Sequence, residues 1–295
     1  MAFNWQTFKT RTGTAAIFVI VMLAGLLISN WTFFILFSVI HFGCWLEYQK
    51  LVGLIDKNYQ DITPFHRYGV MIAGWCIMLY FTNDSFMIFD LRLHELGWWL
   101  GLIFIFVLPI VELLFAKQVR PKNIAHSFFG LIYISLSLGL MMDLFGIKDI
   151  HLNDSFYVIS VQYLIPVVII ASIWINDTMA YIVGSFIGKN PLSKISPKKT
   201  WEGTIGGIIL SVAVMWILAR YVIHYGKLSY AFMIIAAVAS IAGTFGDLLE
   251  SKLKRLAGVK DSGHIMPGHG GFLDRFDSLL VAIPFVWLFV YFFMK

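Results

Sequence analysis

The chain has 295 residues, of which 59% are hydrophobic and 13% charged, with a formal net charge of +5 and a mean hydropathy of +0.79. A soluble domain carries about 25% charged residues, so this chain cannot coat a water-facing surface; a soluble enzyme, a disordered chain and a secreted disulfide scaffold are excluded. The apolar runs arrive in blocks of about 16–23 residues, the length that crosses a ~30 Å hydrocarbon core as a helix. The expected fold is an all-α, polytopic membrane protein forming a single integral-membrane catalytic domain over 1–295.

In chain order, hydropathy predicts nine spans at 13–28, 31–50, 67–82, 96–115, 124–146, 156–188, 203–224, 229–250 and 276–294. Lys9 and Arg11 ahead of the first run resemble a signal peptide, but no small-residue cleavage site follows and the next run starts at Trp31, so an uncleaved first span is expected. The sixth stretch is too long to be all membrane and is expected to run past the interface. The stretch 85–90 reads as a fragment of a tenth span. Cys44 and Cys76 both lie in apolar runs, where thiols usually act as small hydrophobes.

The spans divide the connecting segments into two sides. Seventeen of the 22 Lys and Arg fall on the side of the N-terminus. The positive-inside rule makes that side cytoplasmic.

The acidic residues of the C-terminal half carry the functional signal. Asp177, Glu202, Asp247, Glu250, Asp261, Asp274 and Asp277 all fall at the basic side, in loops or at span ends. Ionisable groups at a membrane boundary are costly and usually pair or bind something. Asp247, Glu250, Ser251 and Lys254 follow i, i+3, i+4, i+7 spacing and form one polar stripe on a helix leaving span eight. Asp274 and Asp277 open the last span at i, i+3. Carboxylates so placed suit Mg²⁺, which takes one or two of them and completes its shell with water and substrate phosphates. The expected metal ligands are Asp247, Asp274 and Asp277.

Between these stripes lies Pro267-Gly268-His269-Gly270-Gly271, whose glycines permit close approach to a ligand. Lys254, Arg255 and Lys260 flank it on one side and Arg275 on the other. Acids for a metal, bases for phosphate and a permissive loop together suggest polyphosphate chemistry. His269 fits a general acid/base or a structural hydrogen-bonding role equally. Ser196-Pro197-Lys198-Lys199-Thr200-Trp201-Glu202-Gly203 adds two lysines and two hydroxyls suited to phosphate. Asp177, after a strongly apolar run, joins the site or packs helices.

The segment Ser251-x-Leu253-Lys254-Arg255, Lys260-Asp261, Pro267-x-His269-Gly270-Gly271-Phe272-x-Asp274-Arg275-Phe276-Asp277 resembles the signature of the phosphatidate cytidylyltransferase (CDP-diacylglycerol synthase) family. Asp177 with its helix, and Ser196 to Gly203, resemble further segments of that family; Trp45-x-Glu47-Tyr48 is a weaker likeness. Met266 replaces a Leu or Ile usual there, a conservative departure.

The resemblance implies transfer of CMP from CTP to phosphatidate, with Mg²⁺ and room for a second, monovalent ion such as K⁺. It also implies a multi-pass protein of a bacterial cytoplasmic (inner) membrane, with its active site facing the cytoplasm. Catalytic roles are expected for Asp247, Asp274, Asp277, His269, Lys254 and Arg255. Substrate contacts are expected from Asp177, Ser196, Lys198, Lys199, Thr200, Glu202, Ser251, Lys260, Asp261, Gly270, Gly271 and Arg275. CTP, phosphatidate and the bilayer are the expected partners, with homodimerisation open and no nucleic acid. The rivals are a CTP-dependent lipid kinase, which would release CDP, and an ion-coupled transporter, which would more often hold its ionisable residues near the midplane between repeated halves.

Overall fold

The computed structural model describes residues 5–116, 118–147, 149–151, 158–160, 162–222, 228–263 and 270–294. Most of them are helical, since in lipid a backbone satisfies its polar groups within a helix. The helices are α1 (Trp5–Leu27), α2 (Asn30–Ile55), α3 (Pro64–Tyr80), α4 (Leu93–Phe115), α5 (Pro121–Gly130) and α6 (Ser137–Gly146). They continue with α7 (Leu164–Ile187), α8 (Trp201–Ile217), α9 (Leu228–Leu256) and α10 (Leu273–Phe293). A π turn over Leu131–Leu136 joins α5 to α6 in one continuous rod.

Among the described residues, seven helices are long and apolar enough to cross a membrane: α2, α4, the rod Pro121–Gly146, α7, α8 with its π extension, α9 and α10. The apolar part of α1, Gly13–Leu27, is shorter, and α3 has 17 residues. Two sequence expectations are corrected. The stretch 85–90 is no span fragment: Met87–Ile88 (β1) pairs with Leu91–Arg92 (β2) around Phe89 and Asp90, both at positive φ, as a tight hairpin turn requires. The helix expected from 156 starts only at Leu164, because Val158–Ser160 (β4) pairs antiparallel with Asp149–His151 (β3); a short apolar run does not by its periodicity tell strand from helix.

Local signals start several helices. Ser29 and Thr32 form a reciprocal capping box at α2, Thr63 caps α3 with Pro64 following, and Thr200 accepts from Gly203 N–H at α8. These side chains satisfy N–H groups that a helix leaves unpaired at its start.

The chain divides into two compact units. The first comprises Met1–Met142 with Leu253–Phe276, the second Asp143–Lys252 with Asp277–Lys295. The core of the first is aromatic, built on Phe33, Phe37, Trp45 and Tyr48 of α2, all fully buried. In the second, α7 and α8 approach backbone to backbone: a Cβ on Gly207 would meet the Asn176 carbonyl and Ala180. Small residues let membrane helices come this close. In the same unit Gly246 of α9 rests on the backbone of Asp277 and Ser278, so that a Cβ there would strike the Asp277 carbonyl. That contact sets Asp247 beside the first turn of α10.

Candidate active site

The second unit gathers the acids of three helices. Asp177 comes from α7, Asp247 from α9 and Asp277 from α10. The three carboxylates repel one another, and Lys199 attracts all three. Lys199 forms an ion pair with Asp247 Oδ2, while Ser251 Oγ donates to Asp247 Oδ1 at 3.1 Å. Asp277 is 8% exposed and accepts Ser278 N–H at 2.6 Å. Three carboxylates around one ammonium leave a formal deficit of positive charge; Asp277 is the buried one of the three, and a buried charge needs compensation.

A cavity of about 620 Å³ opens here, lined by Asn176, Asp177, Ala180, Tyr181, Gly184 and Ser185 of α7, Ser196 and Lys198 to Thr200 of the following loop, Thr204 of α8, and Thr244 and Asp247 of α9. Its size is that of a small-ligand site. Glu202 holds the loop: its carboxylate accepts Lys189 N–H, Asn190 N–H and the Asn190 side-chain amide. Lys199 N–H in turn donates to Ser196 O and Lys199 O accepts Leu192 N–H. The loop is therefore a closed turn that presents Ser196, Lys198 and Lys199 to the cavity.

The first unit holds the rest of the motif residues in a different state. Asp274 is saturated. Its Oδ1 accepts from Lys254 Nζ at 2.7 Å, and its Oδ2 accepts from Ser262 N–H at 2.9 Å, Ser262 Oγ at 2.9 Å and Gly271 N–H at 2.8 Å. Gly270 takes φ +80°, where a side chain would also strike the Asp274 carboxylate. The predicted stripe Asp247, Glu250, Ser251, Lys254 thus splits: its first half serves the cavity, Glu250 is fully buried, and Lys254 serves Asp274. Arg255, Lys260, Asp261 and Arg275 are surface residues of this unit. His269, Pro267 and Gly268 lie outside the described residues.

Glu47, present in the sequence only within the weaker likeness Trp45-x-Glu47-Tyr48 and given no site role there, is the residue the structure adds. On α2 and 6% exposed, it accepts Ser262 Oγ–H at 2.7 Å, Phe272 N–H at 2.9 Å and Leu273 N–H at 2.8 Å. Its isolation as a carboxylate in an apolar run was the available signal, because an intramembrane ionisable residue marks function by default.

Among the described residues, no group of three or more His, Cys, Asp and Glu forms a ready metal cage. Mg²⁺ does not need one: one or two carboxylates with water and substrate phosphates suffice. The hard-oxygen donors Asp247 and Asp277, with their deficit of positive charge, fit such an ion. Asp274 fits it less well, since all its oxygens already accept hydrogen bonds.

Acids disposed for a divalent cation, lysines on a closed turn and a cavity among membrane helices define a membrane-embedded enzyme acting on a polyphosphate. The chain belongs to the cytidylyltransferase family, whose model matches residues 9–293. It is similar to the phosphatidate cytidylyltransferase of Staphylococcus saprophyticus, 32% identical over 94% of this chain and 96% of that protein. That of Haemophilus influenzae is 31% identical over 84% and 85% of the two chains. The Bacillus subtilis protein of the same name is 46% identical over 39% of this chain and 43% of its own length.

Proposed function

We propose that the chain transfers CMP from CTP to phosphatidate, forming CDP-diacylglycerol and pyrophosphate, at the cavity between α7, α8 and α9. The observation that carries this assignment is that Asp177, Asp247 and the Lys199 paired with Asp247 line that cavity, with the buried Asp277 within electrostatic reach of all three, in a chain of the cytidylyltransferase family.

The chemistry suits these residues. The nucleophile is the lipid's phosphate monoester, whose second pKa is near 6, so it is ionised at neutral pH and needs no strong protein base. One oxygen of that phosphate attacks the α-phosphorus of CTP as the bond to pyrophosphate breaks. The protein's part is to position both anions and to neutralise charge. Lys198 and Lys199, with the hydroxyls of Ser196 and Thr200, bind phosphate oxygens from the loop. Asp247 and Asp277 would hold Mg²⁺, which supplies charge neutralisation of the polyphosphate; a monovalent ion beside it fits the remaining negative charge. Asp274 and Lys254 fix the loop that leads into α10. The lysine-rich segments are assigned to the cytoplasm by the positive-inside rule, with α1 and α3 completing nine spans and the cavity open to cytosolic CTP.

The test is to incubate the purified protein with phosphatidate, cytidine-labelled CTP and Mg²⁺. The expected result is a lipid-soluble cytidine product with one pyrophosphate released per lipid. Formation of free CDP with a phosphorylated lipid identifies a kinase instead.

A further inference from the structure

We infer that Glu47 is a positioning residue for the reaction: from α2, far away in sequence, it fixes the start of α10 and thereby the acids of its first turn. The inference rests on the proposed role of Asp277.

Three donors converge on one carboxylate. Phe272 N–H reaches Oε1 at 2.9 Å, while Leu273 N–H at 2.8 Å and Ser262 Oγ–H at 2.7 Å reach Oε2. Leu273 is the first residue of α10, so Glu47 takes up N–H groups that the helix itself leaves unpaired, and its charge meets the positive end of the helix dipole. Helices normally receive this service from a neighbouring Ser, Thr, Asp or Asn; here a residue of another membrane helix supplies it.

Ser262 then ties Glu47 to the motif acid. Its Oγ lies 2.7 Å from Glu47 Oε2 and 2.9 Å from Asp274 Oδ2, and it accepts Asp274 N–H at 3.3 Å. Two glycines make room for the arrangement: a Cβ on Gly263 or Gly271 would run into the Glu47 carboxylate. Gly263 and Gly271 are thus permissive for Glu47. Asp277 follows Asp274 by one turn of the same helix, so the orientation of that turn is inherited from where α10 begins.

Glu47→Gln keeps the volume but turns one acceptor into an amide donor, set against the backbone N–H groups and the Ser262 hydroxyl that Glu47 accepts. In the full-length purified protein we expect its kcat to fall about 10- to 100-fold, as loss of an outer-shell partner typically costs, with KM for CTP nearly unchanged. Mn²⁺, titrated by electron paramagnetic resonance without substrate, should bind about tenfold more weakly. Glu47→Asp should recover part of both. If Glu47→Gln fails to fold, Ser262→Ala decides, since it removes the bridge and leaves α2 intact; it should lower kcat about tenfold. Wild-type kcat and Mn²⁺ affinity in Glu47→Gln, or in Ser262→Ala where that variant decides, overturn the inference. Asp277→Asn separates the two levels: inactive Asp277→Asn beside fully active Glu47→Gln refutes only the role of Glu47, whereas active Asp277→Asn refutes the site itself.

Discussion

Asp274 and Asp277 stand one helical turn apart on α10, and their surroundings are opposites. Around Asp274 donors are in surplus: an ammonium, two backbone N–H groups and a hydroxyl reach its oxygens, and Glu47 takes the N–H groups of the two preceding residues, Phe272 and Leu273. Around Asp277 charge is in deficit: Asp247 and Asp177 repel its carboxylate, and Lys199 opposes them. A saturated carboxylate is a structural tie, because each of its partners would be left unsatisfied without it. Carboxylates that repel one another beside a cavity have capacity left for a cation and its phosphate ligands. On the proposed function, two acids of one motif thus divide into one tied by hydrogen bonds, Asp274, and one left for the chemistry, Asp277.

That division is open to attack by substitution. The largest effect is expected for Asp277→Asn and Asp247→Asn: loss of about 4 kcal/mol of transition-state stabilisation, a fall of about 1,000-fold in kcat, with the helical circular-dichroism signal unchanged. Activity within tenfold of wild type in either would remove the distinction at its active end.

Lys199→Ala should lower kcat/KM by about 100-fold, the loss of a charge-assisted contact of about 3 kcal/mol, and should raise KM for CTP. It also leaves three acids without their compensating ammonium, so Mg²⁺ supplied at higher concentration should restore part of the rate. No dependence on Mg²⁺ beyond that of wild type would show that Lys199 does not share the charge of the acids.

Asp274→Asn sharpens the other side. It removes the charged partner at 2.7 Å from Lys254, whose side chain is 14% exposed, and should cost about 1–3 kcal/mol of stability. A lowered thermal midpoint and a fall of about 10- to 100-fold in kcat are expected together. Full stability combined with total inactivity would instead make Asp274 part of the chemistry.

The smallest effect belongs to Glu202→Ala. Glu202 is exposed and holds the 189–200 loop from its rim, so KM for CTP should rise only about two- to fivefold at unchanged kcat. A larger drop in kcat would place Glu202 in contact with substrate.

Much of this was legible in the residues. Hydropathy marked the positions of all the long helices, and the i, i+4 pair Asp247 and Ser251 forms the contact that its spacing implies. Capping by Thr63 and Thr200 follows from residue type. The division of labour was not legible, because spacing records which side chains share a helix face and says nothing of what comes to meet them. Lys254 lies on the stripe of Asp247 and yet turns to Asp274. Glu47 is 215 residues from Ser262, and no periodicity links such positions; its charge within an apolar helix and the weak likeness of Trp45-x-Glu47-Tyr48 pointed to it without naming its partners. The strand at Val158–Ser160 and the hairpin at 87–92 were missed for a simpler reason: short apolar runs carry hydropathy without declaring a period.

The most direct test compares Mn²⁺ binding in Asp277→Asn and Asp274→Asn by electron paramagnetic resonance titration of the purified proteins. The division described here predicts that Asp277→Asn abolishes tight binding, whereas Asp274→Asn weakens it by no more than about tenfold. Abolished binding in Asp274→Asn with near-normal binding in Asp277→Asn would contradict it.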